Sequence, residues 1–200
     1  MSEKATLRRD LLAARRLLTS EDVRRTAAVL SAAASDVPEL ARARTVAAYV
    51  SVGREPGTHV LLDTLRARGV RVLLPVLMAD NDLDWALFEG VEHLVPAERG
   101  LLEPDGARLG PQAVLDADAV LLPGLAVDGR GMRLGRGGGS YDRVLARLAS
   151  AGAHPALVVL LYDDEVVARV PEEPHDHPVD AVVTPAGARR FRPGTMPRVS

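Results

Sequence analysis

Thr45 to Val76 reads T-V-A-A-Y-V-S-V-G-R-E-P-G-T-H-V-L-L-D-T-L-R-A-R-G-V-R-V-L-L-P-V, and this stretch holds the unit from which the fold is built. Thr45 to Val50 is a short β-type run. Thr58 to Arg68 carries apolar residues at helical spacing, and Gly69 ends that helix before a second apolar run, Val70 to Val76. Strands that are short, continuously apolar and separated by helices are buried on both faces, so they belong to a largely parallel sheet covered by helices.

Further strands are expected at Leu83 to Phe88, Ala119 to Leu122, Ala156 to Leu161 and Val179 to Val183, with a helix from about Tyr141 to Ser150. Upstream, Leu7, Leu11, Leu12, Leu17 and Leu18 recur at helical spacing between Ser2 and Leu18, with Lys4, Arg8, Arg15 and Arg16 on the remaining surface. Thr19 and Ser20 can cap a second helix to about Ala33, which Asp36, Val37 and Pro38 interrupt. The expectation is one α/β domain over residues 1–200, three layers deep, with a largely parallel sheet flanked by helices. Its ordered core is expected at about 2–184, and a tail rich in Arg, Pro and Gly at 185–200 is expected to be less ordered. Ligands of such sheets bind beyond the carboxyl ends of the strands.

Composition narrows the chemistry. A 47% apolar share fills a core, and with only 3% aromatics that core is mostly Leu, Val and Ala. Trp85, the single tryptophan, is expected in the core or in a pocket wall. The formal charge of -2 gives no reason to expect nucleic acid or an anionic membrane as partner. The chain has no cysteine, which excludes disulfides, thiolate catalysis and cysteine-ligated metals. No apolar run approaches the ~18 residues of a membrane span, so the cytoplasm is the expected location. Of the 25 basic residues 24 are Arg, and Lys4 is the one Lys.

Leu122 to Arg143, L-P-G-L-A-V-D-G-R-G-M-R-L-G-R-G-G-G-S-Y-D-R, leaves a strand, turns through glycines and enters a helix. Glycines let successive backbone N–H groups converge on phosphate oxygens, and the N-terminus of the next helix adds partial positive charge. Arg133 and Arg136 add side-chain charge. No Gly-Lys-Ser/Thr occurs, so this is not a Walker A loop. The bland alternative is a solvated surface connector.

Arg133 to Arg143, R-L-G-R-G-G-G-S-Y-D-R, resembles the signature R-L-G-x-G-x-G-Y-Y-D-R of the 5-formyltetrahydrofolate cyclo-ligases, also called methenyltetrahydrofolate synthetases. Ser140 departs from it, standing where the family usually has the first of two tyrosines, and Gly138 is often larger there. Four further segments resemble the family in its order: Lys4 to Arg8 (K-A-T-L-R), Tyr49 to Thr58 (Y-V-S-V-G-R-E-P-G-T), Gly100 to Pro104 (G-L-L-E-P) and His175 to Thr184 (H-D-H-P-V-D-A-V-V-T).

The resemblance implies an ATP site made by Lys4, Arg8, Arg133, Leu134, Gly135, Arg136, Gly137, Gly138, Gly139, Ser140 and Tyr141, with Lys4 and Arg136 assisting the chemistry. It implies a folate site from Val50, Glu55, Arg136 and the run Gly137, Gly138, Gly139 and Ser140, and Mg²⁺ on Asp142 and Asp180. From the residues alone, Lys4 and Arg8 share a helical face that can equally be a solvated one, and Glu55 before Pro56-Gly57 can be an ordinary loop carboxylate. Asp142 can be a helix first-turn residue favoured by the dipole. His175, Asp176 and His177, followed by Asp180, can be read as a transition-metal set in which the two histidines need a third ligand correctly placed, or as a loop near the nucleotide.

The family reaction turns 5-formyltetrahydrofolate and ATP into 5,10-methenyltetrahydrofolate, ADP and phosphate through a phosphorylated imidate, with Mg²⁺. ATP and a reduced folate are the implied partners. Two alternatives stay open at this point: a non-catalytic nucleotide or folate-binding protein of the same fold, and an ATP-dependent enzyme with another N-formyl or carboxylate acceptor. Nothing such as a heptad run demands association, so a monomer is expected, a weak homodimer being the alternative.

Overall fold

The computed structural model describes residues 2–174 and 176–191. Helix α1 (Glu3–Arg16) is capped by the Ser2 side chain, and α2 (Ser20–Ser35) opens with a reciprocal capping box between Thr19 and Asp22. A single turn, α3 (Pro38–Ala41), begins at the proline expected only to interrupt the chain, because Pro at the first helical position sacrifices no hydrogen bond. Then follow β1 (Thr45–Ala47), α4 (His59–Ala67), β2 (Arg71–Leu77) and β3 (Leu83–Leu87). Next come β4 (Leu94–Pro96), β5 (Leu102–Pro104), β6 (Ala119–Leu122), β7 (Ala126–Asp128) and β8 (Arg133–Leu134). The chain continues through α5 (Ser140–Ser150), β9 (Ala156–Leu160), β10 (Val166–Val167), β11 (Ala181–Thr184) and β12 (Gly187–Arg190).

Seven strands form the main sheet in the order β12-β11-β9-β6-β1-β2-β3, parallel from β11 to β2 and antiparallel at both edges. Alternation along each central strand builds the three layers. Val46, Val72, Leu74, Leu121 and Val158 face the apolar stripes of α2 and α4. Ala47, Leu73, Val120, Leu122 and Val159 face α5 and Trp85 on the other side. Trp85 is fully buried in that second core, as expected.

A smaller sheet, β10-β7-β8, lies apart from the main one. It packs Leu125, Met132 and Leu134 against Leu7, Leu11 and Leu12 of α1. Here the surface placement of Arg15 is corrected: the side chain is 4% exposed and lies across the α1 interface. Its Nε donates to Glu165 Oε1 at 2.6 Å, and its Nη2 donates to Glu165 Oε2 at 2.9 Å and to the Gly124 carbonyl at 2.8 Å. Helical spacing placed Leu7, Leu11 and Leu12 on the packed face, but Leu17, just past the end of α1, is exposed, and Lys4 is largely covered rather than on the open surface. The spacing missed Arg15 because a buried carboxylate 150 residues away receives it.

The less ordered tail is corrected in part. Residues 187–190 form β12, antiparallel to β11, the Phe191 amide donates to the Asp180 carbonyl at 2.9 Å, and Arg190 pairs with Glu39. The rest of the expected tail, 192–200, lies outside the described residues, as does His175. No helix among the described residues is long and apolar enough to cross a membrane.

Candidate active site

The strands β1, β2 and β6 end at one edge of the sheet, and beyond them lies a cavity of about 450 Å³. Tyr49 and Val50 enter it just after β1, and Pro123 enters just after β6. Pro75, Leu77 and Leu83 come from the β2–β3 hairpin, and Leu101, Leu102 and Glu103 come from the β4–β5 ribbon. Glu103 fastens that ribbon to the sheet by accepting the Leu77 amide at 2.9 Å. One side of the cleft is therefore an apolar wall.

The facing side is the glycine loop. Gly137 and Gly139 have φ of 88° and 79°, left-handed values that an L side chain rarely adopts. Gly139 is the N-cap of α5 and offers no side-chain cap, so the first-turn N–H groups at Ser140 and Tyr141 lack the usual internal acceptor. A Cβ on Gly138 would meet nothing within 4 Å, which leaves backbone facing open space. Leu134 is buried in the core beneath the loop while still contributing to the cavity wall, and Gly135 follows it.

Cationic side chains ring this loop. Arg8 Nε donates to the Gly135 carbonyl at 2.9 Å, tying α1 to the loop. Lys4, one turn earlier on the same helix, donates to Asp176 at 2.6 Å and Glu173 at 2.7 Å. Partial burial pulls the Lys4 ammonium down, but the two carboxylates outweigh it and hold its pKa above the ordinary value. Arg133, 8% exposed, donates to the Pro123 carbonyl at 2.7 Å and lies 3.9 Å from Asp142. Burial lowers its pKa, against the opposing pull of Asp142.

Arg136 reaches across to Glu55 at 3.2 Å. Glu55 is buried, and its second oxygen accepts the Val52 amide at 2.8 Å, so the loop after β1 closes on its own carboxylate. Ser51 and Thr58 complete that loop by exchanging side-chain and amide hydrogen bonds at 2.9 and 3.0 Å. The buried Tyr141 hydroxyl has no partner among the described residues, and burial raises both it and the Tyr49 phenol above the usual range.

The structure thus brings together Lys4, Arg8, Val50, Glu55, Tyr141 and Asp142 with the whole run from Arg133 to Ser140. It does not bring Asp180. That residue precedes β11, at the amino ends of the parallel strands, and its carboxylate accepts the Leu157 amide at 2.8 Å. The assignment of Asp180 as a metal ligand is therefore corrected. The sequence showed a polar residue beside a strand but not at which end of the sheet that strand begins.

Several cleft residues were not assigned a role from sequence. Tyr49 and Glu103 lie within segments that resemble the family, and so does Asp176, whose place in the cleft wall beside Lys4 agrees with the reading of its segment as a loop near the anion site. Arg99 and Glu173 carried no signal, because loops distant in sequence carry them into the cleft.

An apolar-walled cleft at the carboxyl ends of a parallel sheet, facing a glycine loop that opens a helix, defines an α/β enzyme with an anion-binding loop. The sequence pattern of the 5-formyltetrahydrofolate cyclo-ligase family matches residues 1–185, and the chain belongs to that family. It is 46% identical over 149 residues to the 5-formyltetrahydrofolate cyclo-ligase of Mycolicibacterium smegmatis, spanning 71% of this chain and 74% of that one. It is 33% identical over 177 residues to the Escherichia coli cyclo-ligase, spanning 86% and 94%. The solution structure of Aquifex aeolicus 5,10-methenyltetrahydrofolate synthetase superposes with a TM-score of 0.81 at 29% identity, covering 98% of this chain and 96% of the other.

Proposed function

We propose that the chain converts 5-formyltetrahydrofolate and ATP into 5,10-methenyltetrahydrofolate, ADP and phosphate. The observation that carries this reading is the cleft itself: a glycine loop with open helix N–H groups faces a leucine-lined wall across about 450 Å³. One side suits phosphate and the other suits flat rings.

A formyl amide is a weak electrophile, so its oxygen must first be made a leaving group. That oxygen attacks the γ-phosphorus of ATP, the bond to the bridging oxygen breaks, and ADP departs. The folate N10 amine then adds to the activated carbon and loses its proton. Expulsion of phosphate leaves the methenyl bridge. No covalent nucleophile from the protein is required, and catalysis is positioning together with neutralisation of the charge that develops on the transferring group.

The roles proposed here combine the family resemblance with the positions of the residues in the cleft. Backbone N–H groups at Gly137 to Tyr141 hold phosphate oxygens, and Arg8 keeps its guanidinium beside the loop. Lys4 exchanges its two carboxylate partners for phosphate when the nucleotide arrives. Glu55 accepts from the donor-rich edge of the pterin, with Arg136 fixing its orientation and meeting the reacting groups. Val50 packs beneath the ring.

The residues present fit Mg²⁺ at Asp142. Its carboxylate is 56% exposed in the cleft wall and its nearest cation is 3.9 Å away. Magnesium keeps waters and phosphate oxygens and needs only one or two carboxylates. Bound there, the ion would neutralise phosphate charge.

The test mixes the protein with 5-formyltetrahydrofolate, ATP and Mg²⁺ and follows the near-ultraviolet absorbance of the methenyl product, with an ATP-free control and Asp142→Ala alongside. Product that requires ATP and is lost in the variant is expected. Absence of product with the unaltered protein would sink the proposal.

A further inference from the structure

The basic side chains on the loop side of the cleft all have protein partners: Lys4 with Glu173 and Asp176, Arg8 with the Gly135 carbonyl, Arg133 with the Pro123 carbonyl, and Arg136 with Glu55. Arg99 lines the same cavity from the opposite wall, is exposed, and has no hydrogen-bond or ion-pair partner among the described residues.

Its backbone is unusual as well. Arg99 sits at the tip of the β4–β5 ribbon with φ 59° and ψ 23°, followed by Gly100 at φ 72°. The turn is tight, with the Leu101 amide donating to the Glu98 carbonyl at 3.1 Å and the Ala97 amide to the Leu101 carbonyl at 2.9 Å. Such a two-residue reverse turn favours Gly, Asn or Asp at both central positions. An arginine there keeps a left-handed conformation that a glycine would adopt without strain.

Resting on the function proposed above, we infer that Arg99 recognises the anionic glutamate tail of the folate. Leu101 and Leu102, two and three residues further along the same ribbon, belong to the apolar wall. A ligand that meets Arg99 therefore carries a flat apolar portion followed by an anion. The aminobenzoyl-glutamate half of a folate has that sequence of groups. Phosphate is the poorer match, because its donors are gathered on the loop side around the N-terminus of α5. Arg99 is also exposed at a hairpin tip, so a tail of several glutamates can run past it into solvent without meeting a closed wall.

The experiment measures KM for 5-formyltetrahydrofolate as mono- and triglutamate, and KM for ATP, in the unaltered protein and in Arg99→Ala, Arg99→Glu and Arg99→Gly. Loss of one exposed charge-assisted contact raises the folate KM roughly three- to tenfold in Arg99→Ala, and charge reversal raises it further. The advantage of triglutamate over monoglutamate narrows, and the difference between variant and parent shrinks as salt screens the pair. Arg99→Gly relieves the left-handed strain but also removes the charge, so it behaves as Arg99→Ala. Unchanged folate KM in Arg99→Ala, a KM for ATP that rises equally, or parental KM in Arg99→Gly would overturn the assignment and leave the proposed function standing. No turnover of either folate by the unaltered protein would remove both.

Discussion

Replacing Arg15 by methionine tests how α1 is held in place. The side chain makes three hydrogen bonds, two to Glu165 and one to the Gly124 carbonyl, and its guanidinium lies 5.8 Å from the centre of the Tyr162 ring. Burial alone pulls the Arg15 pKa down, but Glu165 outweighs it and raises it. Methionine fills much of the same volume, and among the described residues it leaves the buried Glu165 carboxylate with only the Tyr162 amide, at 3.0 Å, still donating. Breaking a buried pair from one side costs about 3–5 kcal/mol, because the remaining charge is neither solvated nor paired. In a domain of this size 1 kcal/mol moves Tm by roughly 2–4 °C, so a fall of at least about 6 °C is expected. Thermal and urea unfolding measure it. Removing both charges in Arg15→Met, Glu165→Leu should recover most of the loss, since an apolar pair of similar volume is often neutral. A single-variant loss under about 1 kcal/mol, or a double variant as unstable as the sum of the singles, would refute the account. Because Lys4 and Arg8 stand on the same helix, the single variant should also raise KM for ATP at temperatures where it remains folded.

Two other predictions follow from the carboxylates. Asp180→Asn should leave the Mg²⁺ concentration needed for activity unchanged while lowering stability by about 1 kcal/mol, the scale of one hydrogen bond to the Leu157 amide; a shifted Mg²⁺ requirement would restore Asp180 to the metal site. Burial would raise the Asp128 pKa, but the amides of Val170, Arg130 and Met132 and the Arg130 guanidinium hold it below the ordinary value. A carboxylate with a depressed folded-state pKa contributes stability that is complete above its unfolded value of about 3.9 and is lost as pH falls through the folded one, so acid unfolding followed by Trp85 fluorescence should move to higher pH in Asp128→Asn. An unchanged acid midpoint would count against that role.

The sequence carried much of the fold because burial follows backbone period. Each central strand alternates between two helical layers, so Val46, Val72 and Val120 had to be apolar whatever their neighbours, and the runs could be read before any contact was known. The β4–β5 ribbon and the small β10-β7-β8 sheet escaped notice because strands of two or three residues have too few positions to show a period. The site was legible where chemistry is local: the glycines, Ser140 and Asp142 lie within one loop and the helix it opens, and that loop could be recognised as an anion site from residue type alone.

What the sequence determined by itself was the composition of the layers, the anion loop and the family to which the chain belongs. Only the tertiary structure decided that Arg15 is an internal clamp, that Asp180 begins its strand at the far edge of the sheet, and that Arg99 stands opposite the loop. The physical reason is one of range: backbone period and turn chemistry act over a few residues, whereas the partner of a charge and the end of a sheet at which a residue sits are fixed by strand order, which long-range pairing settles.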